Sequence, residues 1–209
     1  MTEDRIVYIV DDDAAVRDSL VWLLGSVGLR ALSFGSAAEF LEGYEDIGTC
    51  CLVSDVRMPG MSGLELQKAL NARGIQIPLI LMTAFGDVST AVKAMKAGAV
   101  DFIEKPFNNQ NMLDLINSAL QADAARRKSK EVAVENAQLL ARLTPQEHRV
   151  FERVVAGLAN REIGIEMDIS VKTVEVHRAR VMRKLEANSV AELVRFHLHS
   201  APLSTTEGG

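Results

Sequence analysis

"RIVYIVDDDAAVRDSL", residues 5–20, decides the fold. An unbroken apolar run from Ile6 to Val10 stops at three consecutive carboxylates, Asp11, Asp12 and Asp13. A short, continuously apolar run is what a strand buried on both faces looks like, and an acidic group after it suits the positive end of a following helix. Asp13 serves that purpose as N-cap of "AAVRDSLVWLLGSVG" (14–28), where Trp22 and Leu23 stand at core spacing and are assigned to packing. Asp11 and Asp12 need another explanation, because like charges this close repel.

The same alternation recurs through the first 120 residues. "RALSF" (30–34), "CCLVS" (50–54), "PLILMT" (78–83) and "VDFIE" (100–104) read as further strands. "SAAEFLEGYE", "SGLELQKALNARG", "STAVKAMKAGA" and "NNQNMLDLINSALQA" between and after them are apolar at helical spacing. Five β-α units predict a doubly wound parallel α/β sheet, whose ligands bind beyond the carboxyl ends of the strands.

Composition narrows the class. At 209 residues and 48% hydrophobic content, one large or two small globular domains can be filled. No apolar stretch reaches the roughly 18 residues of a membrane helix, and "MTEDR" resembles no signal peptide, so a cytoplasmic protein without a membrane partner is expected. Cys50 and Cys51 are adjacent and lack metal-ligand neighbours, which predicts buried strand thiols. The formal charge of −5 is uneven: residues 1–122 carry 9 Lys/Arg against 16 Asp/Glu, whereas residues 144–209 balance at 9 against 9. Two domains with different partners follow.

The strand ends carry the chemistry. Asp11 and Asp12 leave the first strand and Asp55 the third at one edge, where three carboxylates in a cleft call for a hard divalent cation with oxygen ligands, Mg²⁺ for preference. The fourth strand brings the Thr83 hydroxyl to that edge and the fifth the Lys105 ammonium. Such a set suits a phosphoryl group, with a carboxylate as nucleophile and Lys105 and Thr83 offsetting charge on its oxygens. A dinucleotide fold would place G-x-G-x-x-G after the first strand, and an aspartate phosphohydrolase would follow its nucleophile with D-x-D; here Asp55 is followed by Arg57 at that spacing.

"VDDD", "SDVRMPGMSG", "MTAFGD" and "AMKAGAVDFIEKPF" resemble the receiver domain of two-component response regulators across residues 4–122, a flavodoxin-like (βα)5 fold. The resemblance implies that Asp55 accepts phosphate from a sensor histidine kinase, without the protein being an enzyme in the usual sense. It implies direct Mg²⁺ ligation by Asp12, Asp55 and the backbone carbonyl of Arg57, with Asp11 acting through water. It assigns Thr83 and Phe102 to a paired reorientation on phosphorylation, Lys105 to phosphate contact, and a cis bond to Lys105–Pro106.

Residues 121–143 lack Gly and Pro and predict a helical linker (123–143), with Arg126–Arg127 on a solvated face. From residue 144 the pattern is all-α. "LTPQEHRVFERVVAGL" opens with Thr144 as N-cap, Pro145 at the first position and Glu147 closing a capping box, and ends at Gly157. "NREIGIEMD" and "SVKTVEVHRARVMRKLEA" form a helix-turn-helix, with Ile163, Met167, Ile169, Val174 and Val181 packing the pair and Gly164 permitting close approach. "SVAELVRFHLHS" completes a four-helix domain (144–200), starting with a second box from Ser189 to Glu192 and carrying His197 and His199 on a plausible dimer face; residues 201–209 are expected to be disordered.

Between residues 171 and 185, Lys172, Arg178, Arg180, Arg183 and Lys184 outnumber Glu175 by four charges. The segment 142–200 resembles the LuxR-type reader of NarL/FixJ regulators, closest to the FixJ branch. The resemblance directs Glu175, Val176 and Ala179 toward bases of double-stranded DNA, with Glu175 a candidate acceptor from cytosine N4. Lys172, Thr173, His177, Arg178 and Arg180 face phosphate, or guanine for the arginines, with half-packing against neighbours the alternative for His177. The implied function is transcription regulation: phosphorylated receivers dimerise over residues about 87–104 and bring two readers to operator half-sites about 34 Å apart, with RNA polymerase a further candidate partner.

Overall fold

The computed structural model describes residues 5–84, 92 and 94–200. The chain divides into two compact units, residues 1–127 and 128–209.

In the first unit, five strands, β1 (Arg5–Val10), β2 (Arg30–Phe34), β3 (Thr49–Asp55), β4 (Leu79–Ala84) and β5 (Asp101–Lys105), form one sheet in the order β2-β1-β3-β4-β5. Every pairing is parallel, with Val7 opposite Cys51 and Leu81 opposite Phe102. The helices are α1 (Ala14–Ser26), α2 (Ala37–Gly43), α3 (Gly63–Ala72) and α4 (Asn109–Leu140). Residues 85–91 and 93, which include the start of the remaining expected crossover helix (89–99), lie outside the described residues; residues 92 and 94–96 are helical.

Strand alternation separates two cores. Ile6, Tyr8, Val10, Leu52, Leu79 and Leu81 pack toward α2 and α3 through Phe40, Leu66 and Leu70. Val7, Ile9, Val53, Ile80 and Met82 pack toward α1 and α4 through Leu20, Leu24, Met112 and Ile116. The central strand β1 is apolar from Ile6 to Val10 because neither of its faces meets water, which is why period-two patterning is absent there, whereas the edge strands β2 and β5 carry exposed residues. Cys50 and Cys51 are free, buried thiols on opposite faces, as their strand position requires.

One expectation is corrected here. Leu23 is buried, but Trp22 is 74% exposed: the turn that places Leu20, Leu23 and Leu24 on the sheet turns its neighbour outward. The segments expected as a last receiver helix and a separate linker are one helix, α4, spanning Asn109–Leu140.

In the second unit, α5 (Pro145–Val155), α6 (Asn160–Met167), α7 (Val171–Lys184) and α8 (Val190–Ser200) surround Val150, Phe151, Val154, Ile163, Met167, Val174, Val181, Leu185 and Leu193. Thr144 and Glu147 form the expected reciprocal box at the start of α5. Only half the second box is built: Ser189 accepts from the Glu192 N–H, while Glu192 reaches the Asn188 N–H. Gly164 carries the α6–α7 turn: a Cβ there would lie 2.9 Å from the Ile169 carbonyl oxygen. The tail 201–209 lies outside the described residues.

Candidate functional site

Parallel pairing fixes the first site, because it sends the carboxyl ends of β1, β3, β4 and β5 to one edge. Asp11 follows Val10, Asp55 ends β3, Thr83 lies one residue before the end of β4, and Lys105 ends β5. Asp11 is 1% exposed and Asp55 6%. The Lys105 ammonium lies between them, donating to Asp11 Oδ2 and Asp55 Oδ1 at 2.6 Å each. Burial pulls the Lys105 pKa down, but the hydrogen bonds and charges of Asp11 and Asp55 outweigh it and hold the ammonium above its usual value.

The remaining carboxylate oxygens are held by backbone. Asp11 Oδ1 accepts from the Asp13 N–H at 2.9 Å and Asp55 Oδ2 from the Arg57 N–H at 2.6 Å. Asp13 caps α1 by accepting from the Ala15 N–H, as the sequence predicts. The expected gathering of three carboxylates is met for Asp11 and Asp55. Asp12 is exposed, and among the described residues no group of three acidic or metal-ligating side chains is assembled. Sequence spacing gives the order of the three aspartates but not which side of the turn faces the cleft.

Thr83 is buried, and its hydroxyl has no hydrogen-bond partner among the described residues. A buried hydroxyl without a partner costs free energy unless a ligand or rearrangement satisfies it. Phe102 is 41% exposed on the edge strand, and Lys105–Pro106 is cis.

Two supports of this site had no sequence signal strong enough to find, nor had a third cluster at the opposite edge of the sheet. Arg17 Nη1 donates to the Asp11 carbonyl oxygen at 2.6 Å and ties α1 to the acidic turn. Gly63, the first residue of α3, lies so close to the Asp55 carbonyl oxygen that a Cβ would overlap it. At the amino ends of the strands, Asp123 is fully buried and accepts from the Cys50 N–H at 2.9 Å, Arg126 Nε at 3.2 Å and Arg127 Nε at 2.6 Å. Arg127 also pairs with Asp46. The pair expected on a solvated face is therefore an anchor of α4: Asp123 is only three and four residues away but carries no local sign of burial, and the other partners, Gln76, Cys50 and Asp46, are 50, 77 and 81 residues away.

The second site is the surface of α7. Val174, Val181 and Leu185 face the core, and Lys172, Thr173, Glu175, Val176, Ala179, Arg180 and Arg183 are exposed. Helical spacing puts Lys172, Val176, Ala179, Arg180 and Arg183 on one stripe opposite the buried residues. Not every cation is free: Lys184 pairs with buried Glu147 at 2.6 Å, and Arg178 Nη1 donates to Asn160 Oδ1 at 2.7 Å. His177 is half-buried, and its Nδ1 has no partner among the described residues.

A doubly wound parallel sheet, whose carboxyl edge gathers two buried aspartates around a lysine, is followed in the same chain by a helix-turn-helix. Residues 7–117 match the response regulator receiver domain, and residues 141–197 match the luxR family of bacterial regulatory proteins. The chain is 46% identical, over 98% of its length and 100% of the relative's, to the transcriptional regulatory protein FixJ of Bradyrhizobium diazoefficiens. The solved structure of the response regulator StyR is similar at a TM-score of 0.81 and 43% identity, covering 93% of this chain and 98% of that one. Full-length FixJ from B. japonicum is similar at 0.58 and 46%, covering 93% and 96%. The chain belongs to the response regulators that join a receiver domain to a LuxR-type DNA-binding domain, which are phosphorylation-dependent transcription regulators. Among the described residues no helix is long and apolar enough to cross a membrane.

Proposed function

We propose that Asp55 is the phosphoacceptor and that its modification governs DNA binding by the α7 surface. The observation that supports this most directly is the Lys105 ammonium, 2.6 Å from both Asp11 and Asp55, at the edge where the Thr83 hydroxyl is buried without a partner among the described residues. One Asp55 oxygen attacks the phosphorus of a histidine kinase's phosphohistidine; the P–N bond breaks, and the imidazole nitrogen keeps its electron pair. Lys105 and Thr83 are placed to meet the new phosphoryl oxygens, the first with charge and the second with a hydrogen bond.

The donor set is all oxygen: the Asp11 and Asp55 carboxylates, exposed Asp12 and the Arg57 carbonyl. It fits a hard divalent cation, and these residues would hold Mg²⁺. When bound, Mg²⁺ neutralises charge that the carboxylates and phosphoryl group would otherwise accumulate. Lys105 already shares both buried carboxylates, so its ammonium must yield part of that contact as the site loads.

Phosphorylation in this reading moves Thr83 inward and Phe102 with it, changing the face expected to pair two receivers. Residues 87–91 and 93 of that face are outside the described residues; Val92, Met95, Val100 and Phe102 leave apolar surface exposed there, which supports pairing with a second copy. A phosphorylated dimer then presents two readers to operator half-sites in the cytoplasm, with RNA polymerase a further partner. The division into acceptor domain (1–122), linker (123–143) and reader (144–200) belongs to this reading, with the linker's first residues tied to the acceptor domain through Asp123. On α7, Glu175, Val176 and Ala179 face bases, and Lys172, Thr173, His177, Arg178 and Arg180 face the backbone.

The test is intact mass. Incubated with Mg²⁺ and a small-molecule phosphodonor, the chain gains one phosphate and Asp55→Asn gains none; an unchanged wild-type mass, or equal gain in the variant, overturns the assignment.

A further inference from the structure

We infer that Asn160 is a positioning residue for DNA binding: it holds the Arg178 guanidinium in a fixed pose from which the rest of the fork meets a DNA phosphate. The inference deepens the proposed reading of α7 and rests on it.

Arg178 does not share the exposed stripe. Lys172, Val176, Ala179, Arg180 and Arg183 are exposed, whereas Arg178 is half-buried and turned toward the first residue of α6. At about 100° per residue, its position lies roughly 110° around the helix from the mean direction of Glu175, Val176 and Ala179, at the side of the face assigned to bases. A side chain leaving α7 there reaches the flank of the reader, where a groove-bound helix meets backbone before base edges. Of the two roles open to Arg178, phosphate and guanine, the geometry therefore favours phosphate.

The Asn160 amide does not serve its own helix. The α6 N-cap is Ala159, which offers no side-chain acceptor, and the reciprocal contact there comes from Glu162, which accepts from the Ala159 N–H at 2.6 Å. The Asn160 carboxamide oxygen instead accepts from Arg178 Nη1 at 2.7 Å across 18 residues. A neutral acceptor suits this task better than a carboxylate, because it orients the guanidinium without cancelling the charge that draws phosphate. One of five N–H donors is occupied, and a planar fork held at one corner keeps its other edge in a defined plane. Glu147 has the opposite effect on Lys184, pairing charge with charge at 2.6 Å and withdrawing that cation from the surface.

The consequence is a division between charge and order. Arg178 supplies a phosphate contact and so contributes to salt dependence; Asn160 supplies no charge and contributes only by sparing Arg178 its ordering cost. Immobilising one long side chain at an interface corresponds to about 2- to 12-fold in affinity.

The test uses the full chain with Mg²⁺ and phosphodonor, binding a mixed-sequence DNA duplex over a series of salt concentrations. Arg178→Ala should weaken binding and lower the slope of log affinity against log salt by about one per bound reader. Asn160→Ala should weaken binding about 2- to 12-fold with the slope retained. In the Arg178→Ala background, Asn160→Ala should have no further effect, a result that general loosening of α6 would not give. Additive losses in the double variant, or an Arg178→Ala slope equal to wild type, overturn the inference. Arg180→Ala separates it from the reading beneath: if that variant loses affinity while Asn160→Ala and Arg178→Ala do not, the α7 surface still binds DNA and only the Asn160 role fails. If wild type shows no salt-dependent binding, both fail.

Discussion

Asp123→Ala is the substitution whose cost can be worked most fully from the structure. Asp123 is completely buried and accepts from a main-chain N–H of β3 and from two guanidinium groups. Its removal leaves the Cys50 N–H in a fully buried strand without an acceptor, which costs about 1–3 kcal/mol. It also removes the counter-charge of Arg126 and Arg127, and breaking a buried pair this way costs about 3–5 kcal/mol. These terms overlap, and both arginines can turn partly to water: their side chains are 31% and 22% exposed, and Arg127 keeps Asp46. The expected loss is therefore about 3–4 kcal/mol, near the lower end of the pair term. The assay is urea unfolding of the full chain followed by near-ultraviolet circular dichroism. Trp22, Tyr8 and Tyr44 are the one tryptophan and both tyrosines of the protein, so the tryptophan and tyrosine bands, at longer wavelength than those of Phe151 and Phe196 in the reader, report the receiver alone. With a slope of about 2 kcal/mol per molar, the midpoint should fall by about 1.5–2 M, and Asp123→Asn, which keeps an acceptor for Cys50, should lose less. A midpoint within about 0.3 M of wild type would show that the guanidiniums rehydrate without cost, and the reasoning fails.

Three further outcomes are expected. Glu147 is buried, which raises its pKa, but Lys184 and the Thr144 N–H and hydroxyl more than reverse this and carry it from 4.5 to about 2. Its contribution to reader stability is thus complete above about pH 4.5 and lost as pH falls toward 2, and Glu147→Gln should flatten that decline in the amide exchange of Ile163 and Val174. Lys105 has a raised pKa, so its contribution is complete below its ordinary value of 10.5 and lost as pH rises through the folded-state value. Lys105→Met should cost the receiver about 2–4 kcal/mol at neutral pH in magnesium-free urea titrations, with the difference from wild type shrinking in alkali. Gly63→Ala should destabilise the receiver by about 1–3 kcal/mol and slow phosphate uptake by Asp55, because the new Cβ meets the Asp55 carbonyl oxygen and Leu81 Cδ2, the latter at 2.9 Å. Gly25→Ala, with nothing within 4 Å of its Cβ, is the control and should not destabilise.

Strands, helix starts and the positions at the strand ends and along the basic helix were legible in the sequence because each is a local signal. The run Ile6–Val10 is apolar throughout because both its faces are covered, Asp13 and Thr144 cap the helices they precede, and Asp11, Asp55, Thr83 and Lys105 stand at or near the ends of their strands. The sequence by itself therefore determined the order of elements, the doubly wound architecture, the acidic edge and the basic helix after the turn. Which charges remain free was decided only by the tertiary structure. Lys184 and Arg126–Arg127 look like solvated cations in the chain, yet their partners are 37, 50, 77 and 81 residues distant or lie on a face that local spacing does not identify as buried. Likewise the direction of Trp22 and of Asp12 depends on the rotation of a helix or turn against the sheet. Local sequence sets backbone preference over a few residues, whereas burial and charge pairing depend on what long-range packing brings within a few ångströms.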